Sequence, residues 1–509
     1  MIRRITIIAL SLLVALPAVA HRRDSLSSVQ RAAAADDALS GISRAAYDAS
    51  IAASAYRRQV NISTLAGVFD LRREEQAMVQ EEGDGLTLGK LRADSYMHLK
   101  KRSTVEAEAS YRRGVKRNVC WNSSSDYTLL YPHIGADSIG GNLTTEQYGF
   151  GGSYAHRGER VTYGIGASYR ALHEFRKVDP RPRNITSDVK AQVACGYNFK
   201  RYMLGASAAA RIYNQQHSVD YYNIKGSNTS QIPMTGLGTY YERFAGASSG
   251  FLNYEFKGFG YSASVQFVPL DGNGLRLMAD YTALNIRRLL PDFNNTMMTR
   301  LRTECFSGSI SYATTSGRVR WAVGGDFFYE IRRGDENVLN ISSLSSDMVL
   351  ATFTMYEGHT IDATLTGGVE WLHDWGYLFV RPRVGILNMS AGYRYPERRL
   401  DAMIVEGGAD IGARYQAKKW LVDISAGGGY AAALSNTLFL STSAEKEIKS
   451  AVQRQWQGFV ANRLLINAAV SVQRAINYRT SIYLAGVWQM YSRQMGDGHT
   501  LSAEIGIKF

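Results

Sequence analysis

The sequence predicts an all-β fold, a transmembrane antiparallel β-barrel of about 18 strands (roughly 16–20) with short periplasmic turns and long outer loops. Apolar residues recur at every second position over long segments, which is typical of strands with two different faces. Short and long connections alternate along the chain, as in outer-membrane barrels. Proline, which removes a donor from a strand ladder, is scarce at 9 residues.

Residues 1–20 have the features of a cleavable export signal. Arg3 and Arg4 form a basic start, a short apolar stretch follows, and Ala18-Val19-Ala20 provides the small-x-small pattern that signal peptidase accepts. We expect cleavage after Ala20 and export to the outer membrane of a Gram-negative cell. The mature chain then divides into an N-terminal segment, 21–59, and the barrel, 60–509.

The N-terminal segment 21–59 is rich in alanine and polar residues and predicts one or two short helices. Two interpretations stay open, a plug inside the barrel or a mobile periplasmic leader. Glycines in mid-strand favour the plug, because a strand glycine often marks a close approach by other groups. These glycines are Gly151-Gly152, Gly324-Gly325, Gly367-Gly368, Gly407-Gly408 and Gly427-Gly428-Gly429.

The strand pattern separates a lipid face from a lumen face. In the last segment, Leu501, Ala503, Ile505, Ile507 and Phe509 share one face. Candidate segments run about 11–16 residues, whereas a tilted strand needs roughly 9–11 to span a bilayer. The opposite faces carry charges that either line a wet channel or pair across the wall and hold a plug. These lumen-lining candidates are Arg92, Asp94, Glu106, Glu108, Arg112, Arg381, Arg383, Asp410 and Arg414.

The longer connections are expected on the outer side, near 116–143, 174–186, 218–257, 291–301, 334–357, 393–401, 435–457 and 492–498. Residues 218–257 could hold a further strand pair through Phe251, Tyr254 and Phe256. Thr442 and Glu445 form a capping box for a loop helix. Aromatic residues near the strand ends predict two interfacial girdles, Phe199, Tyr202, Trp371, Trp375, Tyr377 and Trp420 on the turn side and Tyr329, Tyr430, Trp488 and Tyr491 on the loop side.

Composition excludes several other classes. The net charge is +13, but the basic residues are scattered among acidic ones, so we expect no nucleic-acid partner. Cys120, Cys195 and Cys305 fit no metal motif and allow at most one disulfide, with a Cys120–Cys305 pair left open. The G-x-S-x-G match at 246–250 lies in a loop among strands rather than on a strand–turn–helix elbow. We therefore expect no enzyme, no metal and no cofactor.

Residues 127–184 are similar to an uncharacterised outer-membrane β-barrel family found in Bacteroidota. The resemblance is carried by Tyr131-Pro132, Asp137-Ser138, Glu146-Gln147-Tyr148, Gly151-Gly152, Tyr169-Arg170 and the run from Asp179 to Asn184. It implies the fold and the location and no activity. Phe509 resembles the aromatic end that the barrel assembly machinery reads, which makes that machinery an expected partner.

Two functions follow as hypotheses. The first is a channel or porin-like transporter of polar or small solutes. The second is a structural or surface-binding barrel with a filled lumen and long ligand-binding loops. The expected surroundings are outer-membrane lipid and lipopolysaccharide. A basic run of Arg176, Lys177, Arg181 and Arg183 either binds its phosphates or packs in salt bridges within the outer loops.

Overall fold

The computed structural model describes residues 26–99, 102–222, 231–241, 253–340, 349–441 and 446–509. Three sequence features lie outside the described residues. They are the export signal at 1–20, the capping box of Thr442 and Glu445, and the G-x-S-x-G match at 246–250.

The strands follow one another along the chain as a meander. Their bounds are β1 (Ile62–Glu74), β2 (Gly85–Leu99), β3 (Ser103–Val119), β4 (Gly135–Ala136), β5 (Gly141–Arg157), β6 (Val161–Arg176), β7 (Arg181–Phe199), β8 (Tyr202–Asp220), β9 (Ile232–Gly236), β10 (Thr239–Tyr240), β11 (Tyr254–Pro269), β12 (Gly274–Leu290), β13 (Thr296–Ser316), β14 (Val319–Leu339), β15 (Val349–His373), β16 (Gly376–Tyr393), β17 (Arg398–Gln416), β18 (Trp420–Leu440), β19 (Arg463–Ala475), β20 (Ser481–Arg493) and β21 (Gly498–Lys508).

Eighteen of these strands form one closed antiparallel barrel. β1 pairs with both β2 and β21, so the first and last strands complete the ring. Phe509 continues this pairing, because its N–H donates to the Ser63 carbonyl at 3.0 Å and the Ser63 N–H donates back at 2.9 Å. A closed ladder leaves no strand edge unpaired, which is what hydrocarbon requires of a β-structure. The predicted strand number is confirmed.

The outward face of the barrel is apolar and exposed. Ile165, Val193, Ile212, Ile411 and Ile505 each expose more than half of their surface although they sit in mid-strand. Water would make such a continuous belt unfavourable, whereas lipid stabilises it. The chain is therefore an outer-membrane β-barrel, as the alternation predicts. No helix among the described residues is long and apolar enough to cross a membrane.

Several predicted long connections are in fact tight turns. β6 ends at Arg176 and β7 begins at Arg181, so the loop expected at 174–186 is mostly strand. The same holds for 291–301 and 393–401, and the connection at 492–498 is a turn of four residues, 494–497. The strands continue beyond the bilayer, β15 for 25 residues. Their outward faces no longer meet hydrocarbon there, so the alternation between apolar and polar residues that marks a strand is lost.

Residues 231–241 do not add a strand pair to the barrel. β9 pairs with β10 and with β4, and the three form a small separate sheet. Tyr254 and Phe256 instead begin the barrel strand β11. This small sheet belongs to an assembly of outer connections that folds over the barrel.

Among the described residues, five helices accompany the strands, α1 (Ser28–Ala35), α2 (Ser40–Asp48), α3 (Ile51–Ser54), α4 (Tyr127–Leu130) and α5 (Lys446–Val460), with 3-10 turns at Gln80–Glu82 and Pro291–Phe293. α1 starts at Ser27, whose side chain forms a capping box with Gln30. The expected loop helix is α5, but it is packed rather than solvated, since Ile448 and Trp456 are buried.

Two further sequence-based assignments change with the structure. Tyr377 is buried, and the Arg414 guanidinium lies over its ring, so it does not belong to the turn-side girdle. Tyr491 has the opposite strand parity to the exposed Trp488 and faces inward as well. The three cysteines are free thiols, which leaves no Cys120–Cys305 disulfide.

Candidate functional site

The lumen is the candidate site, and its wall is charged. All nine predicted lumen-lining residues lie on the inward face, because each belongs to the strand parity opposite the exposed apolar belt. Most of them pair within the wall. Arg92 contacts Glu504 at 2.6 Å and Asp94 at 3.3 Å. Arg381 contacts Asp410 at 3.0 Å.

Three of the remaining predicted residues also have partners in the wall. Arg383 contacts Glu406 at 3.4 Å, Arg414 contacts Asp423 at 2.5 Å, and the guanidinium of Arg112 donates to Gln147. Glu106 instead pairs with Arg57 of the N-terminal segment at 2.9 Å. The wall charges thus serve both roles of the second interpretation, pairing across the wall and holding other chain inside.

The N-terminal segment, residues 26–60, lies inside the barrel at the end of the short turns. The N–H of Ser28 donates to the Tyr478 carbonyl at 2.8 Å, and the Tyr47 hydroxyl donates to the Pro269 carbonyl at 3.0 Å. Arg414 donates to the Asp36 carbonyl at 2.6 Å. Because β17 and β6, which contacts α3, stand on opposite sides of the barrel, this segment spans the lumen.

Apolar side chains of this segment fit against wall glycines. A Cβ built on Gly324 would lie 2.7 Å from Cγ2 of Ile42, and one on Gly164 would lie 2.6 Å from Cγ2 of Ile51. Leu39 occupies the space over Gly368 in the same way. A side chain at these strand positions would collide with the segment, so glycine is what permits the close approach.

The other predicted glycines have different neighbours. A Cβ on Gly151 would meet the Glu108 side chain, one on Gly408 would meet the backbone of β18, and one on Gly407 meets nothing within 4 Å. Only Gly324 and Gly368 of the predicted pairs face the N-terminal segment, while Gly164 and Gly166 do so without belonging to a pair.

A half-buried ionic cluster anchors the segment. One Nη of Arg320 lies 2.9 Å from Asp37 of the segment and 3.0 Å from Glu370 of the wall. Glu370 also accepts the Leu39 N–H at 3.3 Å. Sequence reasoning missed these three residues. The alternation of β14, which places Val319 and Trp321 outward, would have identified Arg320 as an inward cation.

The outer end of the lumen is covered by a structure that we name the cap, residues 119–140 together with 231–241. Asp126 accepts two hydrogen bonds from Arg170 on β6, at 2.8 and 2.7 Å. Across the barrel, Arg398 on β17 donates to the Leu237 carbonyl at 2.7 Å. β4 and β9 join the two halves of the cap, which therefore reaches from one side of the lumen to the other.

Buried arginines hold the cap from beneath. Arg288 is fully buried and donates to the Ile134 carbonyl at 3.1 Å. Arg176 and Asp137 are also buried, and Nη1 of Arg176 lies 3.0 Å from Oδ1 of Asp137. Arg176 therefore belongs to a packed ion pair, although the sequence also allowed it as a phosphate ligand. A buried ion pair that is hydrogen-bonded fixes geometry more than it adds stability.

A polar cavity of about 410 Å³ lies between the N-terminal segment and the cap. It is lined by Glu108, Arg170, Asp188, Lys190 and Arg211 on the inward face. Arg211 and Arg170 both pair with Asp188, at 2.8 and 3.2 Å. The side chains of Glu108 and Lys190 are exposed. Within the described parts of the chain there is no group of three or more His, Cys, Asp or Glu side chains that could hold a metal ion.

Solved structures whose backbone resembles that of this chain include outer-membrane receptors. The siderophore receptor PiuA of Acinetobacter baumannii is 7% identical with a TM-score of 0.40, over 89% of this chain and 82% of that one. The ferric-catecholate import receptor Fiu of E. coli K12 is 8% identical with a TM-score of 0.37, over 88% and 81%. The alcaligin receptor FauA of Bordetella pertussis is 10% identical with a TM-score of 0.31, over 87% and 76%.

The fold assignment rests on this chain's own closed ladder and not on those likenesses. No curated protein sequence matches the chain. A family model does match, over residues 51–509, which is the whole barrel and the end of the N-terminal segment. The expectation of an uncharacterised family is confirmed, and the chain belongs to the family of unknown function DUF6850.

Proposed function

We propose that this chain is an occluded transport barrel, in which the N-terminal segment is a plug and the lumen opens to a polar solute only when that plug moves. The observation that carries the proposal is the placement of residues 26–60 across the periplasmic end of the lumen. The proposal combines a channel for polar or small solutes with the filled lumen of the alternative hypothesis.

The contacts between the plug and the wall are of a kind that permits the plug to move out of the lumen. Alanine is the commonest of its buried residues, and larger side chains such as Leu39, Ile42 and Ile51 lie among them. Its polar anchors are ion pairs and hydrogen bonds to the wall, which water can replace at modest cost. Small side chains at the contact and polar contacts that water can replace permit displacement of the plug without unfolding of the barrel.

The polar mid-lumen cavity favours transport over a purely structural role. Glu108 and Lys190 keep exposed charged groups there, between plug and cap. A lumen built only for stability would gain more from apolar packing than from charges. The second candidate function, a static barrel that binds ligands with its outer side, is favoured by the extensive packing of the cap.

Conductance measurements in planar bilayers distinguish the occluded transport barrel from the static barrel. We expect full-length protein to conduct rarely, and protein lacking residues 26–55 to form steady openings, because the barrel closes through β1 and β21 without the plug. Heat-modifiable gel migration verifies that the shortened chain still forms a barrel. Equal conductance of both proteins would refute the plug, and a folded, silent deletion protein would favour the static barrel.

Biogenesis completes the proposal. We propose that the signal at 1–20 exports the chain with cleavage after Ala20, and that the assembly machinery reads Phe509. The backbone pair between Phe509 and Ser63 supports the second part, since it lies where the ring closes. Outer-membrane lipid and lipopolysaccharide are then the surroundings of the apolar belt.

A further inference from the structure

A second cavity, of about 360 Å³, lies at the outer end and is separate from the polar one. It is enclosed by α5, the 3-10 turn Gln80–Glu82, the cap and the inner faces of β14 to β17. Its volume falls within the range of small-molecule sites, roughly 300–1,000 Å³. Its walls are mostly apolar and contain several aromatic rings, including Trp121, Tyr127, Tyr131, Tyr356 and Trp456.

Most of these rings pack against one another in two groups. The centroids of Tyr127 and Tyr131 are 5.6 Å apart, and those of Tyr131 and Tyr356 are 5.8 Å apart in an edge-to-face arrangement. Trp456 packs on Phe459 at 6.0 Å. The negative faces of such rings attract a cation, an effect that strengthens when water is excluded.

The charged side chains of this cavity leave one carboxylate without a cationic partner. Arg332 is saturated, because it binds both oxygens of Glu330, at 2.8 and 3.1 Å, and donates to the carbonyls of Thr128 and Tyr131. Glu81 accepts from Nε2 of Gln455 at 2.9 Å. No cationic side chain in the described part of the chain forms an ion pair with Glu81.

Burial raises the pKa of the Glu81 carboxyl to about 7, while hydrogen bonds, including those from Tyr127 and Gln455, oppose the shift. This carboxylate, which is half-buried, is therefore only partly stabilised by the protein itself. A cation in the cavity would supply the missing compensation. The site is thus complementary to an apolar molecule that carries a positive nitrogen.

We propose that this cavity binds a small aromatic or alkyl amine, with its ammonium group against Glu81 and its apolar body among the rings of Tyr131, Tyr356 and Trp456. The site lies on the outer side, away from the plug, so it does not depend on whether the barrel conducts. An ion pair that is shielded from water selects strongly by charge.

Calorimetric titration of the purified full-length protein with three probes of equal shape tests the proposal. The probes are 2-phenylethylamine, its neutral analogue 2-phenylethanol and the anion phenylacetate. We expect the amine to bind at least about tenfold more tightly than the alcohol, and the anion not to bind. Because this comparison uses the unaltered chain, it stays decisive if a variant fails to assemble.

Glu81→Gln should remove the preference, so that amine and alcohol bind alike. Glu82→Gln is the matched control, since Glu82 follows on the same turn but does not line the cavity. We expect it to retain the preference for the amine. No binding of any probe, equal binding of all three, or an unchanged preference in Glu81→Gln would each overturn the proposal.

Discussion

Truncation of Ile42 should weaken the plug by a predictable amount. Ile42 is 6% exposed and lies against Gly324 and Gly368 of the wall, packed with Leu39 and Ala322. Ile42→Ala removes buried methyl and methylene groups where the rigid strands cannot collapse, which costs about 3 kcal/mol. Only the docked plug loses these contacts. The ratio of undocked to docked plug should therefore rise roughly 150-fold.

Single-channel recording measures this ratio as open probability. Ile505→Ala is the matched control, an equal truncation on the lipid face, where the side chain is 58% exposed and far from the plug. We expect rare openings in the control, as in unaltered protein, and frequent openings in Ile42→Ala at the same conductance level. Identical open probability in both variants, with both folded, would refute the idea that this packing holds the lumen closed.

Further variants test the other parts of the account. Leu39→Cys with Gly368→Cys in an otherwise cysteine-free chain should form a disulfide, since a Cβ on Gly368 lies 3.6 Å from Cγ of Leu39. The oxidised protein should stay silent and the reduced protein should open. Equal open probability of the oxidised and reduced proteins would contradict this. Removal of Phe509 should lower the yield of heat-modifiable barrel in the outer membrane, and normal assembly would count against its role. Asp126→Asn should leave the channel silent by itself because the plug remains, yet raise open probability further when combined with Ile42→Ala. An open probability of the double variant equal to that of Ile42→Ala alone would show that the cap does not restrict opening.

The strand number and the lumen face could be predicted from the sequence because both follow from one local rule. Side chains that point alternately to lipid and to water identify a strand, its two faces and its register together. Arg381 and Arg414 were therefore assigned inward without knowledge of their partners. The rule fails where strands leave the bilayer, as at Arg181 and Arg398, because polar residues occur on both faces there.

The plug contacts and the cap could not be predicted, because they join residues far apart in sequence. The alanine-rich composition predicts helices but not which wall strand each helix meets. Asp37 and Glu370 are 333 positions apart, yet both bind Arg320. Likewise Glu81 lies in a connection without any motif, and only the packing of α5 against it creates the outer cavity.

Accessibility of the mid-lumen cavity tests the central claim, that the plug closes the lumen from the periplasmic side. Lys190→Cys in a chain without native cysteines places one thiol in that cavity, and Val178→Cys places one in an exposed outer turn. A polyethylene-glycol maleimide too bulky to pass the docked plug or the cap should label Val178→Cys readily. It should label Lys190→Cys only after residues 26–55 are removed. Equal labelling of Lys190→Cys with and without the plug would contradict the claim.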